Sequence, residues 1–242
     1  MTIEEMRQKK KEYGYTYEQI ANLSGVPLGT VQKIFGGITE SPRQDTLLAL
    51  ENIFRSREHR SEYTIDDYFA LPEDCRAELI DGVFYDMAEP TNPHQLLVGE
   101  IFLQLKLFIR SRKGDCLPFT SPVGVQLDCD NKTMVEPDVL VVCDRDKIYR
   151  HKVYGAPDFV VEVLSPSNRK KDTVIKLNKY MNAGVREVWL VDPDKKVILV
   201  YDFSTDNYPV IYGLDAEIPV GIWNGECKID FHEMLREASF LF

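Results

Sequence analysis

Two stretches of the sequence place carboxylates where burial would otherwise exclude them. TMVEPDVLVVC sets Glu136 and Asp138 at the mouth of an apolar run, and GAPDFVVEVLSPS sets Glu162 inside a second run, 24 positions after Asp138. Burying an unpaired charge in such a run is costly, so Glu162 must be ion-paired, metal-bound or at an exposed strand end. An Asp and a Glu from neighbouring strands can converge on one hard cation, and Mg²⁺ accepts few protein ligands beyond two carboxylates and its waters. The chemistry this pattern allows is divalent-cation binding, with a structural ion pair to a lysine as the plainer alternative.

The elements that must carry these residues are apolar runs rich in Val, Ile, Leu and Phe, set off by turn residues. Strands are expected at Ala77–Ile80, Val83–Met87, Val123–Leu127, Asp138–Val142, Asp158–Leu164, Glu187–Val191 and Lys196–Tyr201. HQLLVGEIFLQLKLFIRSR has apolar residues at helical spacing, and TVIKLNKYMNA reads as a second helix closed by Gly184. EVWLVDPDKKVILVYDF reads as a hairpin with Pro193 in its turn, and the tail from Asp215 as a last strand and helix. A helix before the strands and another dividing them imply a mixed sheet flanked by helices, an α/β or α+β core rather than a sandwich.

The chain has 242 residues, with 29 Lys+Arg against 39 Asp+Glu and a formal net charge of −10. That length suits one large domain or a small one joined to a medium one. Such acidity excludes holding nucleic acid by bulk attraction, so any nucleic-acid partner must be gripped by local basic patches or through cations. The charge is uneven: residues 1–60 balance at +1 and residues 61–242 at −11. With the polar connector RSREHRSEY, this places a small all-α domain at 1–55, a linker at 56–62 and the large domain at 63–242. No apolar stretch approaches the roughly 18–20 residues of a spanning helix, and the N-terminus lacks a signal peptide's apolar core. A soluble, cytoplasmic protein without membrane association is expected. The five cysteines, Cys75, Cys116, Cys129, Cys143 and Cys227, are scattered and form no CxxC pair, so they read as reduced, mostly buried thiols.

In TYEQIANLSGVPLGTVQKIFGG, Ile20 and Ala21 face inward from one short helix, Gly25 supplies a sharp turn, and Val26, Val31 and Ile34 anchor the next. The stretch resembles the Cro-type helix-turn-helix domain across about residues 1–55. That resemblance implies a recognition helix starting near Pro27 that presents Leu28, Thr30, Gln32 and Lys33 to the major groove. Tyr17 stands where that family often has a phosphate-touching Gln, and Gly29 offers no side chain to a base.

The larger part resembles the putative restriction endonuclease family, a branch of the PD-(D/E)XK nuclease superfamily, across residues 63–203. AELIDGVFYDM, the NPHQ before the long helix, EPDVLVV, PDFVVEVLSPSNRKKDT and KLNKYMNAGVREVWLVDP carry the resemblance, in that order. It implies that Asp138 and Glu162 are the motif acids and that Glu78 is the acidic residue of the opening element. The motif lysine is expected two positions after Glu162, where Leu164 stands. The resemblance to branches whose lysine has moved to the following helix implies Lys176 instead, with Lys179 in reserve.

The activity so implied is metal-assisted hydrolysis of DNA phosphodiester bonds, with Mg²⁺ or Mn²⁺ held by Asp138, Glu162, the main-chain carbonyl of Val163 and, as an outer ligand, Glu78. Lys176 would orient the attacking water or neutralise developing charge. His94 and Gln95 are accessory candidates for contact with phosphate. Arg169, Lys170 and Lys171, beside Arg110, Arg112 and Lys113, are expected to form a backbone track, and a homodimer is expected. The rival reading is a DNA-binding transcriptional regulator whose nuclease-like domain has lost catalysis, motivated by Leu164.

Overall fold

The computed structural model describes the chain except residues 13, 14, 40, 41, 59–62, 73, 74, 166–168, 170, 206 and 207. It divides into two compact units, one of residues 1–63 with 81–83 and the other of the remainder.

The first unit contains α1 (Ile3–Glu12), α2 (Tyr17–Ser24), α3 (Leu28–Phe35) and α4 (Gln44–Glu58). Thr16 caps α2 by accepting from the Gln19 N–H while the Gln19 side chain accepts from the Thr16 N–H, a reciprocal arrangement worth about 1 kcal/mol. Gly25 ends α2 at φ 72°, a left-handed conformation that favours glycine. Ile20, Ala21, Val26, Val31 and Ile34 are buried with Met6, Leu50 and Phe54 in one core, which leaves Leu28, Gln32 and Lys33 exposed and Thr30 half-buried. The helix α4 runs to Glu58, past the boundary expected at 55; the rest of the expected linker, 59–62, lies outside the described residues.

The second unit opens with α5 (Ile65–Phe69), β1 (Ala77–Ile80), β2 (Val83–Asp86) and the long α6 (Asn92–Ser111). Then come β3 (Leu117–Thr120), β4 (Val125–Gln126), β5 (Val139–Val142), β6 (Val153–Tyr154) and β7 (Phe159–Val163). A π-helical stretch, Lys171–Lys176, leads into α7 (Leu177–Ala183), followed by β8 (Glu187–Asp192), β9 (Val197–Asp202), β10 (Val210–Gly213), β11 (Ile218–Val220), β12 (Cys227–Ile229) and α8 (His232–Glu237). The main sheet has the order β10-β9-β8-β7-β5-β3, with β7 and β8 parallel and the other neighbours antiparallel. Every residue of β5, β7 and β8 is buried, as central strands covered on both faces must be.

Alternation along these strands divides the core. Val139, Val141, Val161 and Val163 face Leu97, Ile101 and Leu105 of α6, while Leu140, Val142 and Val160 face Tyr180 of α7. This is the expected class, a mixed sheet flanked by helices. Several strands escape the sequence patterns. β3 contains Pro118, which reads as a breaker but is tolerated because β3 is an edge strand. The tail holds two strands, not one, with Ile218 opposite Ile229.

The cysteine reading needs correction. Leu117 pairs with Val142 across β3 and β5, so Cys116 and Cys143 meet one step further along and form a disulfide. Cys75 and Cys129 are exposed, and Cys227 is a buried thiol. The bond depends on strand register, which cysteine spacing does not reveal. Among the described residues, no helix is long and apolar enough to cross a membrane.

Candidate active site

The register of β5 on β7 brings the two motif carboxylates together. Val139 stands opposite Val161, so one rung further Asp138 stands opposite Glu162, on the face shared with Leu140 and Val160. Like charges on one rung repel, and a neutralising group is required. Lys176, at the end of the π-helical stretch, supplies it: Nζ lies 2.5 Å from Glu162 Oε1 and 2.7 Å from Glu78 Oε1, with the side chain 2% exposed. The Tyr180 hydroxyl, one helical turn on, donates to the same Glu162 oxygen.

Glu78 reaches this point because β1 pairs Leu79 with Met134 through two backbone hydrogen bonds of 2.8 and 2.7 Å. Its Oε1 also accepts the Glu136 N–H at 2.9 Å, and its Oε2 lies 2.7 Å from Lys171 Nζ. Glu136 in turn accepts from Tyr68 Oη at 2.8 Å and from Arg76 at 3.4 Å. Asp138 Oδ2 accepts the Val163 N–H at 2.7 Å and lies 3.2 Å from His94 Nε2. His94 stands in the first turn of α6, where Thr91 caps the helix; its Nδ1 is buried without a hydrogen-bond partner among the described residues.

The charges are unevenly settled. Burial would raise the Glu78 carboxyl, but Lys176 and Lys171 outweigh it and hold Glu78 below the usual carboxylate range. Burial would lower the Lys176 ammonium, and Glu162 and Glu78 hold it well above the usual lysine range. Glu162 bears the strain: burial pushes it well up, Lys176 opposes, and Asp172, Asp138 and Glu78 add to the rise. Asp172 is pushed up to about 6, chiefly by burial, with Lys176 opposing and Glu78 reinforcing. For His94, burial works against protonation, but the hydrogen bond to Asp138 prevails and raises it.

These groups line one cleft of about 150 Å³, room for several waters or a hydrated ion. Glu78, Asp138, Glu162, Val163, Lys176, His94 and Gln95 all border it. Lys179 does not: its ammonium pairs with Asp128. Lys171 points into the cleft rather than along a phosphate track, and Arg169 is committed to Asp192 and Asp194. Lys170 lies outside the described residues. Arg110, Arg112 and Lys113 stand at the other end of α6, where a rise of about 1.5 Å per residue puts them some ~24 Å from His94. The expected grouping of these basic residues beside the site is therefore not what the fold produces. Leu164, at the expected lysine position, is buried in the apolar core.

Asp172 is the residue that motif reading missed. It is 4% exposed, borders the cleft and has no hydrogen bond or ion pair among the described residues. Its signal was its place four residues before Lys176, a spacing that puts acid and base on one helical face.

Among the described residues, no three His, Cys, Asp or Glu side chains are gathered to grip a bare ion. The donor set nonetheless suits a hydrated divalent cation. Among the described residues, protein contacts fall on Oδ2 of Asp138 and Oε1 of Glu162, leaving one oxygen of each without a partner there. Glu78, Glu89, Glu136, Asp138, Glu162 and Asp172 line the cleft against Arg76, Lys171, Lys176 and His94, so carboxyl groups outnumber basic groups there and a cation would help to balance them.

Comparison with known proteins bears on the second unit. Residues 65–215 match the pattern of Uma2, described as "Putative restriction endonuclease". A solved structure described as a putative nuclease belonging to DUF820 from Anabaena variabilis ATCC 29413 is similar, with a TM-score of 0.59 and 19% sequence identity over 72% of this chain and 97% of that one. At that identity the likeness establishes the fold, which is that of restriction-endonuclease-like proteins. No curated protein matches.

Proposed function

The chain belongs to the Uma2 family of putative restriction endonucleases, and on that footing we propose that it is a divalent-metal-dependent nuclease hydrolysing DNA phosphodiester bonds in the cleft between β5, β7 and the π-helical stretch. The observation that carries the proposal is the meeting of Asp138, Glu162 and Lys176, from three separate elements, at one cleft. Asp138 and Glu162, with the main-chain carbonyl of Val163, would hold Mg²⁺ or Mn²⁺. Such an ion supplies Lewis acidity and a bound water of lowered pKa.

The chain's own groups do the rest. Lys176 places its ammonium beside the reacting phosphoryl group and offsets charge developing there. Glu78, held by Lys171 and by the Glu136 N–H, keeps Lys176 in position. His94 steadies Asp138, and the exposed Gln95 stands at the mouth to contact phosphate. The first unit, in this proposal, is a helix-turn-helix reader that brings DNA to the cleft through Gln32 and Lys33, both exposed on α3.

A second reading has its own support. Leu164 fills the usual lysine position, and Lys176 already pairs with Glu78 and Glu162. Both fit a regulator that binds DNA and no longer cuts it. Incubating the full chain with plasmid and with single-stranded DNA, in Mg²⁺, Mn²⁺ or EDTA, separates the two. Metal-dependent nicking supports the nuclease, and DNA binding without cleavage supports the regulator.

A further inference from the structure

Glu78, the acid that the motif names, and Asp172, an acid that it passes over, stand in opposite circumstances at the cleft. Glu78 is fully buried, and both its oxygens face ammonium groups: Oε1 lies 2.7 Å from Lys176 Nζ and accepts the Glu136 N–H, and Oε2 lies 2.7 Å from Lys171 Nζ as an ion pair without an aligned hydrogen bond. Turning it toward a cation would break two buried ion pairs. Asp172 borders the same cleft, is 4% exposed, and has neither an ion pair nor a hydrogen bond among the described residues. A buried carboxylate left without a partner is costly, and structures retain one where something else completes it.

We propose that Asp172, not Glu78, is the third acidic group of the cation site, accepting hydrogen bonds from the water shell of a hydrated divalent cation held by Asp138 and Glu162. Contact through water follows from two features. Among the described residues, no three acidic side chains close around a bare ion, and the cleft has room for an ion that keeps its waters, as Mg²⁺ does. Asp172 is thus a positioning residue, and its role deepens the nuclease reading and rests on it. The charges agree: Glu78 is offset by Lys171 and Lys176, Asp138 faces His94 and Glu162 faces Lys176, whereas Asp172 has no ion pair among the described residues.

The test is Mn²⁺ affinity of the purified full chain, followed by calorimetry and by the electron paramagnetic resonance signal of free Mn²⁺. Asp172→Asn keeps the side chain's shape and removes an unpaired buried charge, so the fold is retained; Asp172→Ser provides a second variant. Both should bind Mn²⁺ about tenfold or more weakly than the native chain. The loss should persist between about 0.1 and about 0.5 M salt, because a water-bridged contact is not screened as a diffuse field is. If the native chain binds Mn²⁺, Asp138→Asn abolishes binding and the Asp172 variants stay within a factor of about three, the role of Asp172 is refuted and the nuclease reading stands. A loss that vanishes at high salt refutes it equally. If the native chain binds no Mn²⁺, the nuclease reading falls, and this inference with it.

Discussion

Lys176 Nζ lies 2.7 Å from Glu78 Oε1, joining the first strand of the second unit to the helix that follows β7. The same ammonium lies 2.5 Å from Glu162, so one buried lysine holds two acids from distant parts of the chain. Removing one partner of a buried pair costs more than the pair itself contributes, because the other charge is left unpaired. Lys176→Met should therefore destabilise the protein by about 3–5 kcal/mol in urea unfolding. Adding Glu78→Gln should recover part of that loss. A single substitution with less than about 1 kcal/mol of effect would mean that the pairing is not made in solution.

Lys179 supplies the matching control. Its ammonium pairs with Asp128 away from the cleft, so Lys179→Met should leave cleavage within about twofold of native while lowering stability by about 1 kcal/mol. Loss of cleavage with full stability would transfer the proposed role of Lys176 to Lys179.

The pH dependence of metal-free stability follows from Asp172. Its folded-state pKa is raised from 3.8 to about 6, chiefly by burial, so the folded protein binds this proton more tightly than the unfolded chain does. The resulting stability is fully present below about 3.8 and is lost as pH rises through about 6. At pH values above that window, Asp172→Asn should be the more stable protein, by on the order of 2 kcal/mol. Toward the acid end the gap should close. Thermal unfolding in EDTA across this range measures it, and a constant gap at every pH would contradict the assignment.

The first unit is tested by binding alone. Lys33→Ala should weaken DNA binding similarly for all sequences and reduce the slope of log K against log salt by about one. Gln32→Ala should relax preference at one position of a bound site. If neither changes affinity or slope, the four helices serve another purpose.

The fold was legible wherever apolar runs were long and regular. Both faces of β5, β7 and β8 are buried, so their sequences read as continuous Val-rich runs, and α6 announces itself by its spacing of Leu97, Ile101 and Leu105. Edge elements were not legible in this way. β3 hides behind Pro118, and β11 and β12 are three residues each.

The site was legible in its residue types but not in its pairings. That Asp138 and Glu162 share a rung depends on register, which only the folded sheet defines. The partner of Lys171 could not be inferred from a run of three basic residues, which reads as a solvated turn until the π-helical stretch rotates one of them inward onto Glu78. The Cys116–Cys143 bond escaped for the same reason: two residues 27 apart become neighbours only through antiparallel pairing.

The proposed activity depends most on the Asp138–Glu162 pair acting through a metal on a phosphodiester. The most direct measurement is plasmid nicking by the native chain and by Asp138→Ala and Glu162→Ala, purified in parallel and assayed in Mg²⁺, in Mn²⁺ and in EDTA. The native protein should nick the plasmid in metal and not in EDTA, and both variants should lose at least about a hundredfold. Equal nicking by all three proteins, or nicking that survives EDTA, would contradict the proposed activity.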